Sequence, residues 1–91
     1  MDRYQTFANW LKSQNLVSAP SAYPKYLGKI ESMMNLQLHD VRNIARLEAY
    51  YAEVQGKRTF QALPQHERRN LLSGFTSYID FVRYTKGIQA A

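Results

Sequence analysis

The stretch that decides the fold is LLSGFTSYIDFV, residues 71–82. Its large apolar side chains recur at steps of one, three and four residues, which place them along one face of an α-helix. These side chains are Leu71, Leu72, Phe75, Tyr78, Ile79 and Val82. A helix with one apolar face must pack that face against a core, so the rest of the chain has to supply the other side of it.

The same periodicity predicts three further helices upstream, and no segment shows the two-residue alternation of a strand. Asp2 and Asp40 are suited to cap the first and third helices, because a carboxylate accepts hydrogen bonds from the free amides of a first turn. Pro24 fits only the first turn of the second helix, where an amide hydrogen is not needed. The predicted fold is all-α, a compact bundle of four main helices over residues 2–13, 21–34, 40–55 and 65–86.

Each upstream helix has its own apolar face. The residues expected to point inward are Tyr4, Phe7, Trp10 and Leu11 in the first helix; Tyr23, Tyr26, Leu27, Ile30, Met33 and Met34 in the second; and Val41, Ile44, Ala45, Leu47, Tyr51 and Val54 in the third. Gly28 predicts a close approach of a neighbouring helix or a ligand, and Gly56 predicts a left-handed helix end. Residues 59–63 are expected to form a turn or a single helical turn, and the last helix is expected to end by Gly87.

Length and composition predict a single folded domain. The chain has 91 residues, of which 45% are hydrophobic, and it contains no cysteine. A disulfide framework, a thiolate zinc site and a thiol nucleophile are therefore excluded. No apolar run approaches the length of roughly 18 residues that spans a bilayer, and the first residues do not resemble a signal peptide. We expect a cytoplasmic protein with no membrane contact.

The residues that carry catalytic chemistry are scattered. His39 and His66 are too far apart in sequence to form paired metal ligands on one helical face, and no two carboxylates have a spacing suited to acid–base catalysis. The four glycines are isolated, so no phosphate-binding glycine-rich loop is present. We therefore expect no enzyme activity, no catalytic residue, no metal, no cofactor and no small-molecule substrate.

The charge balance indicates an anionic partner. Twelve lysines and arginines exceed seven acidic residues, which gives a formal net charge of +5 and a sequence pI of about 9.7. A pI above about 9 is typical of domains that bind nucleic acid, although many basic domains bind none.

The order of landmarks resembles a known family. Phe7, Trp10 and Leu11 stand in the first helix, Tyr23 and Leu27 in the second, and Ser73, Phe75, Tyr78 and Phe81 in the last. This order is similar to that of the SAM-like core-binding domain at the N-terminus of tyrosine recombinases and phage integrases, and the similarity covers most of the chain. The resemblance implies a helical DNA-binding module of a phage or mobile element. The chain departs from the family pattern at Ala19, Pro20 and Thr76, where the family usually has phosphate-contacting threonine and arginine.

The family's catalytic domain is a separate and larger unit. The string His66, Glu67, Arg68, Arg69 matches a His-x-x-Arg spacing found in that domain, but 91 residues leave no room for it. We interpret the string as a solvated basic first turn.

If the domain binds duplex DNA, two helical stripes are the candidate surface. Three- and four-residue steps keep the members of each stripe on one face. The stripes are Ser21, Lys25, Lys29 and Ser32 on the second helix and Arg69, Ser73, Thr76 and Arg83 on the last, and Arg68 beside Arg69 is a further candidate DNA-binding residue. Asp80 interrupts the second stripe, and its charge would repel phosphate unless it pairs with Arg83.

Two alternatives stay open. Both stripes can be ordinary solvated faces. The chain can also be a small phage or mobile-element domain of the same fold that binds a protein partner or a second copy of itself instead of nucleic acid. That alternative predicts an exposed apolar patch near Tyr26, Tyr50, Met33 or Met34.

Overall fold

The chain folds as an all-α bundle, as the sequence predicts. The computed structural model describes residues 4–14 and 22–90, the last four of them by their backbone only. Within this part of the chain there are no strands. The elements are α1 (Gln5–Gln14), α2 (Tyr23–Met34), a short 3-10 helix (Leu38–Asp40), α3 (Ile44–Gln55), α4 (Arg58–Gln61) and α5 (Gln65–Ala90).

α5 is the central element, and the prediction for its inner face is confirmed. Leu71, Phe75, Tyr78, Ile79 and Val82 are all buried. Leu72 is half-buried at the edge of the core. The helix also continues to Ala90 instead of ending by Gly87 as expected.

The core that α5 packs against comes from every other helix. Its fully buried members include Phe7 and Leu11 of α1, Leu27 and Ile30 of α2, and Leu47 and Val54 of α3, as the sequence predicts. Three buried apolar residues were missed: Leu38 in the 3-10 helix, Phe60 in the single turn of α4, and Phe81 of α5. Ala45, expected to point inward, is exposed.

The aromatic rings form a connected network. Phe7 packs edge-on against Tyr78 with the ring centroids 5.4 Å apart, and Tyr4 meets the same ring at 5.6 Å. Phe81 lies 5.5 Å from Phe7 and 5.6 Å from Trp10. Because such pairs stabilise by more than their buried area alone, α1 is attached to α5 chiefly through rings.

Two predictions for helix ends are wrong. α3 begins after Asn43, not at Asp40, because the Asn43 side-chain oxygen accepts the Arg46 amide hydrogen at 3.1 Å. Asp40 belongs to the 3-10 helix and lies beside His39, with 3.2 Å between Oδ1 and Nε2. Gly56 has a φ of −86°, so it does not end α3 in the left-handed conformation. The left-handed cap is Asn35, which follows α2 with a φ of 54°.

Pro24 lies in the first turn of α2, as expected. The predicted start of this helix at residue 21, and the predicted cap at Asp2, lie outside the described residues.

A partly buried carboxylate joins three elements. Glu31 of α2 accepts hydrogen bonds from the Tyr4 hydroxyl at 3.0 Å and from the Leu38 amide at 2.8 Å. His39 Nδ1 lies 3.7 Å from the same carboxylate. Hydrogen bonds to a charged acceptor are stronger than neutral ones, so Glu31 fixes the start of α1 and the 3-10 helix against α2.

The structure places a close helix contact at Gly74 and not at Gly28, where a neighbouring helix or a ligand was expected. A Cβ added at Gly28 would meet nothing within 4 Å among the described residues, so none of the described helices approaches there. A Cβ added at Gly74 would lie 3.0 Å from the Cβ of Tyr26, so α2 and α5 touch at this buried position. Gly74 therefore permits close packing of the two helices.

Substituting alanine at these two glycines should have opposite effects. Gly28→Ala should stabilise the fold by roughly 0.5–1 kcal/mol, because alanine is the better helix former and the site is open. Gly74→Ala gains the same propensity but pushes against Tyr26, and overpacking costs typically 1–3 kcal/mol. We expect the melting temperature, followed by circular dichroism, to rise for the first variant and fall for the second. Equal stabilisation by both would contradict the close approach.

Tyr78 predicts a loss of stability at alkaline pH. Its hydroxyl donates to the Leu38 carbonyl at 3.4 Å, and its pKa is raised chiefly by burial, with Glu31 and Asp40 adding and Arg42 opposing. The unfolded pKa is about 10. Because the folded pKa is higher, the protonated Tyr78 hydroxyl contributes to the stability of the fold. This stabilisation is complete below about pH 10 and is lost as the pH rises through the folded pKa.

Tyr78→Phe is the matched variant for this test, since it keeps the ring and removes the titrating group. Thermal melts from pH 7 to 11 should show it less stable than the parent at neutral pH and show the difference shrinking above pH 10. A constant difference over that range would exclude the proposed role of the hydroxyl.

Candidate nucleic-acid interface

On α2 the two lysines of the candidate stripe are exposed, as predicted. The Ser32 hydroxyl, however, donates to the Gly28 carbonyl at 3.2 Å and so is partly occupied within its own helix. Ser21 lies outside the described residues.

Lys29 has an acidic partner on another helix. Its ammonium group forms an exposed ion pair with Glu67 of α5. Exposed pairs of this kind add little stability, typically 0–1 kcal/mol. The pair nevertheless places a carboxylate next to the Lys29 charge, which reduces the attraction of this lysine for phosphate.

The positive charge of Arg83 is also paired with acidic side chains. Its guanidinium forms an ion pair with Glu48 of α3 and lies 3.6 Å from the Asp80 carboxylate, one turn away on α5. Asp80 therefore pairs with Arg83, and this pairing reduces the repulsion that its carboxylate would exert on a phosphate. Two carboxylates beside one guanidinium make Arg83 a poor candidate for a phosphate contact.

Arg68 and Arg69 differ from these cations. Among the residues that the structure describes, neither forms an ion pair. Both line a groove of about 640 Å³ at the start of α5, and the remaining lining residues are Gln55, Phe60, Gln61, Gln65 and Leu72. The Arg68 Nε atom is buried and has no hydrogen-bond partner in the part of the chain that the structure describes.

Three helices converge to build this groove. Gln55 comes from the last turn of α3, Gln61 from α4, and Gln65 opens α5. The side-chain amide of Gln61 donates a hydrogen bond to the main-chain carbonyl of Gln55 at 3.3 Å, and this bond connects α4 to the end of α3. The groove thus combines two guanidinium groups with glutamine side chains that can donate further hydrogen bonds.

A second cavity of about 380 Å³ continues from the first along α5. Arg69 and Leu72 line both cavities, so the two adjoin. The other lining residues of the second cavity are Tyr23, Tyr51, Ser73, Thr76 and Ser77. The Thr76 hydroxyl donates to the Leu72 carbonyl at 2.9 Å.

A third, smaller cavity of about 250 Å³ shares Tyr51 and Thr76 with the second. It ends at the ionic cluster of Glu48, Asp80 and Arg83. We call the three adjoining cavities the α5 groove. One end of this groove is positive, and the other, with two carboxylates and one guanidinium, is net negative.

The structure therefore divides the predicted stripes. Arg68, Arg69, Ser73 and Thr76 lie together in the α5 groove, and Arg83 lies at its far end. Lys25 and Lys29 line none of the three cavities. Sequence reasoning missed the glutamines, Tyr23 and Tyr51 as groove residues. The spacing of these residues along their own helices could not indicate a shared groove, because the groove forms only where separate helices meet.

The hydroxyl of Tyr23 remains protonated at neutral pH. Its pKa is raised by burial and, to a smaller extent, by the neighbouring Tyr26. The hydroxyl can therefore donate a hydrogen bond to a ligand in the second cavity.

None of the four residues around which an apolar patch was expected is fully exposed. Met34 is buried, and Tyr26, Met33 and Tyr50 are half-buried against the core. The large hydrophobic side chain that is exposed in the described chain is Tyr84, 47% accessible, and its ring packs against Trp10 at 5.6 Å.

Metal-ligand groups and membrane-spanning helices were sought within residues 4–14 and 22–90. No group of three histidine, cysteine or acidic side chains there could hold a metal ion. None of the helices searched is long and apolar enough to cross a membrane.

No protein-family model, curated protein or solved structure matches the chain. The class that the fold defines is therefore that of small all-α bundles, and the similarity to recombinase core-binding domains rests on the sequence alone.

Proposed function

We propose that this chain is a non-catalytic DNA-binding module that contacts the duplex backbone, as its resemblance to recombinase core-binding domains implies. The observation that supports this best is the placement of Arg68 and Arg69, which line one groove and form no ion pair with the acidic residues described. Unpaired guanidinium groups attract phosphate and bind it through two parallel hydrogen bonds.

The surroundings of the two arginines suit a phosphate backbone. Glutamine side chains donate hydrogen bonds to phosphate and sugar oxygens in many protein–DNA complexes, and these contacts fix orientation without reading sequence. Phe60 and Leu72 give the groove an apolar side. The net charge of +5 adds long-range attraction to any polyanion.

Lys25 is the second contact that we assign. It is exposed on α2 and forms no ion pair with the part of the chain that the structure describes. Lys29 and Arg83, each already paired with carboxylates, contribute less.

The Ser73 hydroxyl lies beside Arg69 and makes no described hydrogen bond, so it can donate to phosphate. The Thr76 hydroxyl already donates to the Leu72 carbonyl and would have to give up that bond to contact phosphate.

Binding to duplex DNA should weaken steeply as salt rises, because each phosphate contact releases a counterion. Fluorescence anisotropy with a labelled blunt duplex, titrated between 50 and 200 mM salt, measures this. The absence of binding at ~50 mM salt would overturn the proposal, since the electrostatic attraction is strong under those conditions.

Arg69→Gln and Arg83→Gln form a matched pair, because both remove one exposed charge from α5. We expect Arg69→Gln to lower the slope of log affinity against log salt by about 1, as for one lost phosphate contact. Arg83→Gln should change the slope little, since its charge is already balanced. Equal losses would show that net charge alone governs binding.

Removing the carboxylate of Glu67 should strengthen binding. Glu67→Gln releases Lys29 and removes a negative charge adjacent in sequence to Arg68, so the salt slope should rise by up to about 1. Glu53→Gln is the control, because Glu53 is exposed on α3, lines none of the cavities and makes no described ion pair. A gain of the same size in both variants would contradict a local role for Glu67.

A further inference from the structure

Arg69 occupies a special position in the α5 groove. It lines both the arginine-rich first cavity and the second cavity, which contains Tyr23 and Tyr51. An anionic group held by Arg69 would therefore have the tyrosine cavity directly beside it.

The two tyrosines are held in place by other rings. Tyr51 packs edge-on against the buried Phe75, with the ring centroids 5.6 Å apart. Tyr23 packs against Tyr26 at 5.5 Å. Both are only half-buried, so part of each remains open to the cavity. Rings fixed in advance lose little conformational freedom when a ligand stacks on them.

The rest of the cavity offers polar groups beside this aromatic surface. The hydroxyls of Ser73 and Ser77 make no described hydrogen bond, so they can donate to and accept from a ligand. With a volume of about 380 Å³, the cavity lies within the range of small-molecule sites. Its ligand should therefore be flat, rich in hydrogen-bonding groups, and attached to an anion.

A nucleotide has this chemistry. We propose, building on the DNA-binding function above, that the second cavity takes one unpaired nucleotide of a DNA strand, with its phosphate on Arg69 and its base against Tyr23 and Tyr51. In an intact duplex the bases are stacked inside the helix and cannot reach the tyrosines. The domain then prefers DNA ends with a single-stranded overhang to blunt duplex, because base stacking on aromatic side chains adds affinity.

A comparison of the affinities for two DNA probes tests this preference. Anisotropy titrations at 50 mM salt compare a blunt duplex with the same duplex carrying a short single-stranded overhang. We expect the overhang to bind about tenfold tighter, as for one stacked base. Equal affinity for the two would overturn the inference and leave the duplex-binding function intact, whereas no binding to either would overturn both.

Leucine and phenylalanine substitutions separate stacking from structure. Tyr23→Leu should abolish the preference for the overhang and retain blunt-duplex binding, while Tyr23→Phe, which keeps the ring, should retain both. Tyr51→Leu and Tyr51→Phe repeat the comparison on the second ring, with circular dichroism to verify folding. A preference that survives leucine at both positions would place the unpaired base elsewhere.

A fluorescent base reports the contact directly. 2-Aminopurine in the overhang should be quenched on binding to the parent and to Tyr23→Phe, but not to Tyr23→Leu. Free deoxynucleoside monophosphate serves as the competitor that distinguishes a strand from a soluble ligand. If it displaces the overhang at equal concentration, the cavity is a free-nucleotide site and the assignment to a DNA strand is wrong.

Discussion

The close approach of α2 and α5 at Gly74 is the constraint on which the arrangement of the other elements depends. With no side chain at Gly74, the Tyr26 Cβ of α2 lies only 3.0 Å from the position that a Cβ would occupy. This contact sets the distance between the two helices that carry most of the buried core. It also places Lys29 beside Glu67 and lets Tyr23 reach the groove along α5. The packing of the core and the shape of the candidate site thus share one cause.

The other side of the bundle is held by a different kind of interaction. Glu31 joins α1, α2 and the 3-10 helix through charge-assisted hydrogen bonds, while rings on α1 pack against Tyr78 and Phe81 of α5. Even partial burial of a carboxylate is costly unless its oxygens are well hydrogen-bonded. Glu31 therefore specifies which elements meet, whereas the aromatic contacts supply most of the hydrophobic stabilisation of this region.

Sequence patterns predicted the helices well, because burial of one face depends on local spacing. The inward residues of α5 and the first-turn position of Pro24 follow from that spacing and from proline's missing amide hydrogen. The glycines were misjudged, since a close approach depends on which helix lies opposite. The pairing of Lys29 with Glu67, and of Arg83 with Glu48, was equally hidden, because the partners are 38 and 35 residues apart. Arg68 and Arg69 were identified as candidates from charge alone, but their common groove requires α3 and α4.

The electrostatic character of α5 therefore depends on its neighbours more than on its own sequence. Arg69 and Arg83 belong to the same predicted stripe, yet Arg83 is paired with Glu48 and Asp80 while Arg69, like its neighbour Arg68, is left without an acidic partner in the described structure. A net charge of +5 spread evenly would attract polyanions without orienting them. Balancing the cations at one end of the groove concentrates the attraction at the other. A phosphate chain would then be drawn to the start of α5, where the groove leads directly to Tyr23 and Tyr51.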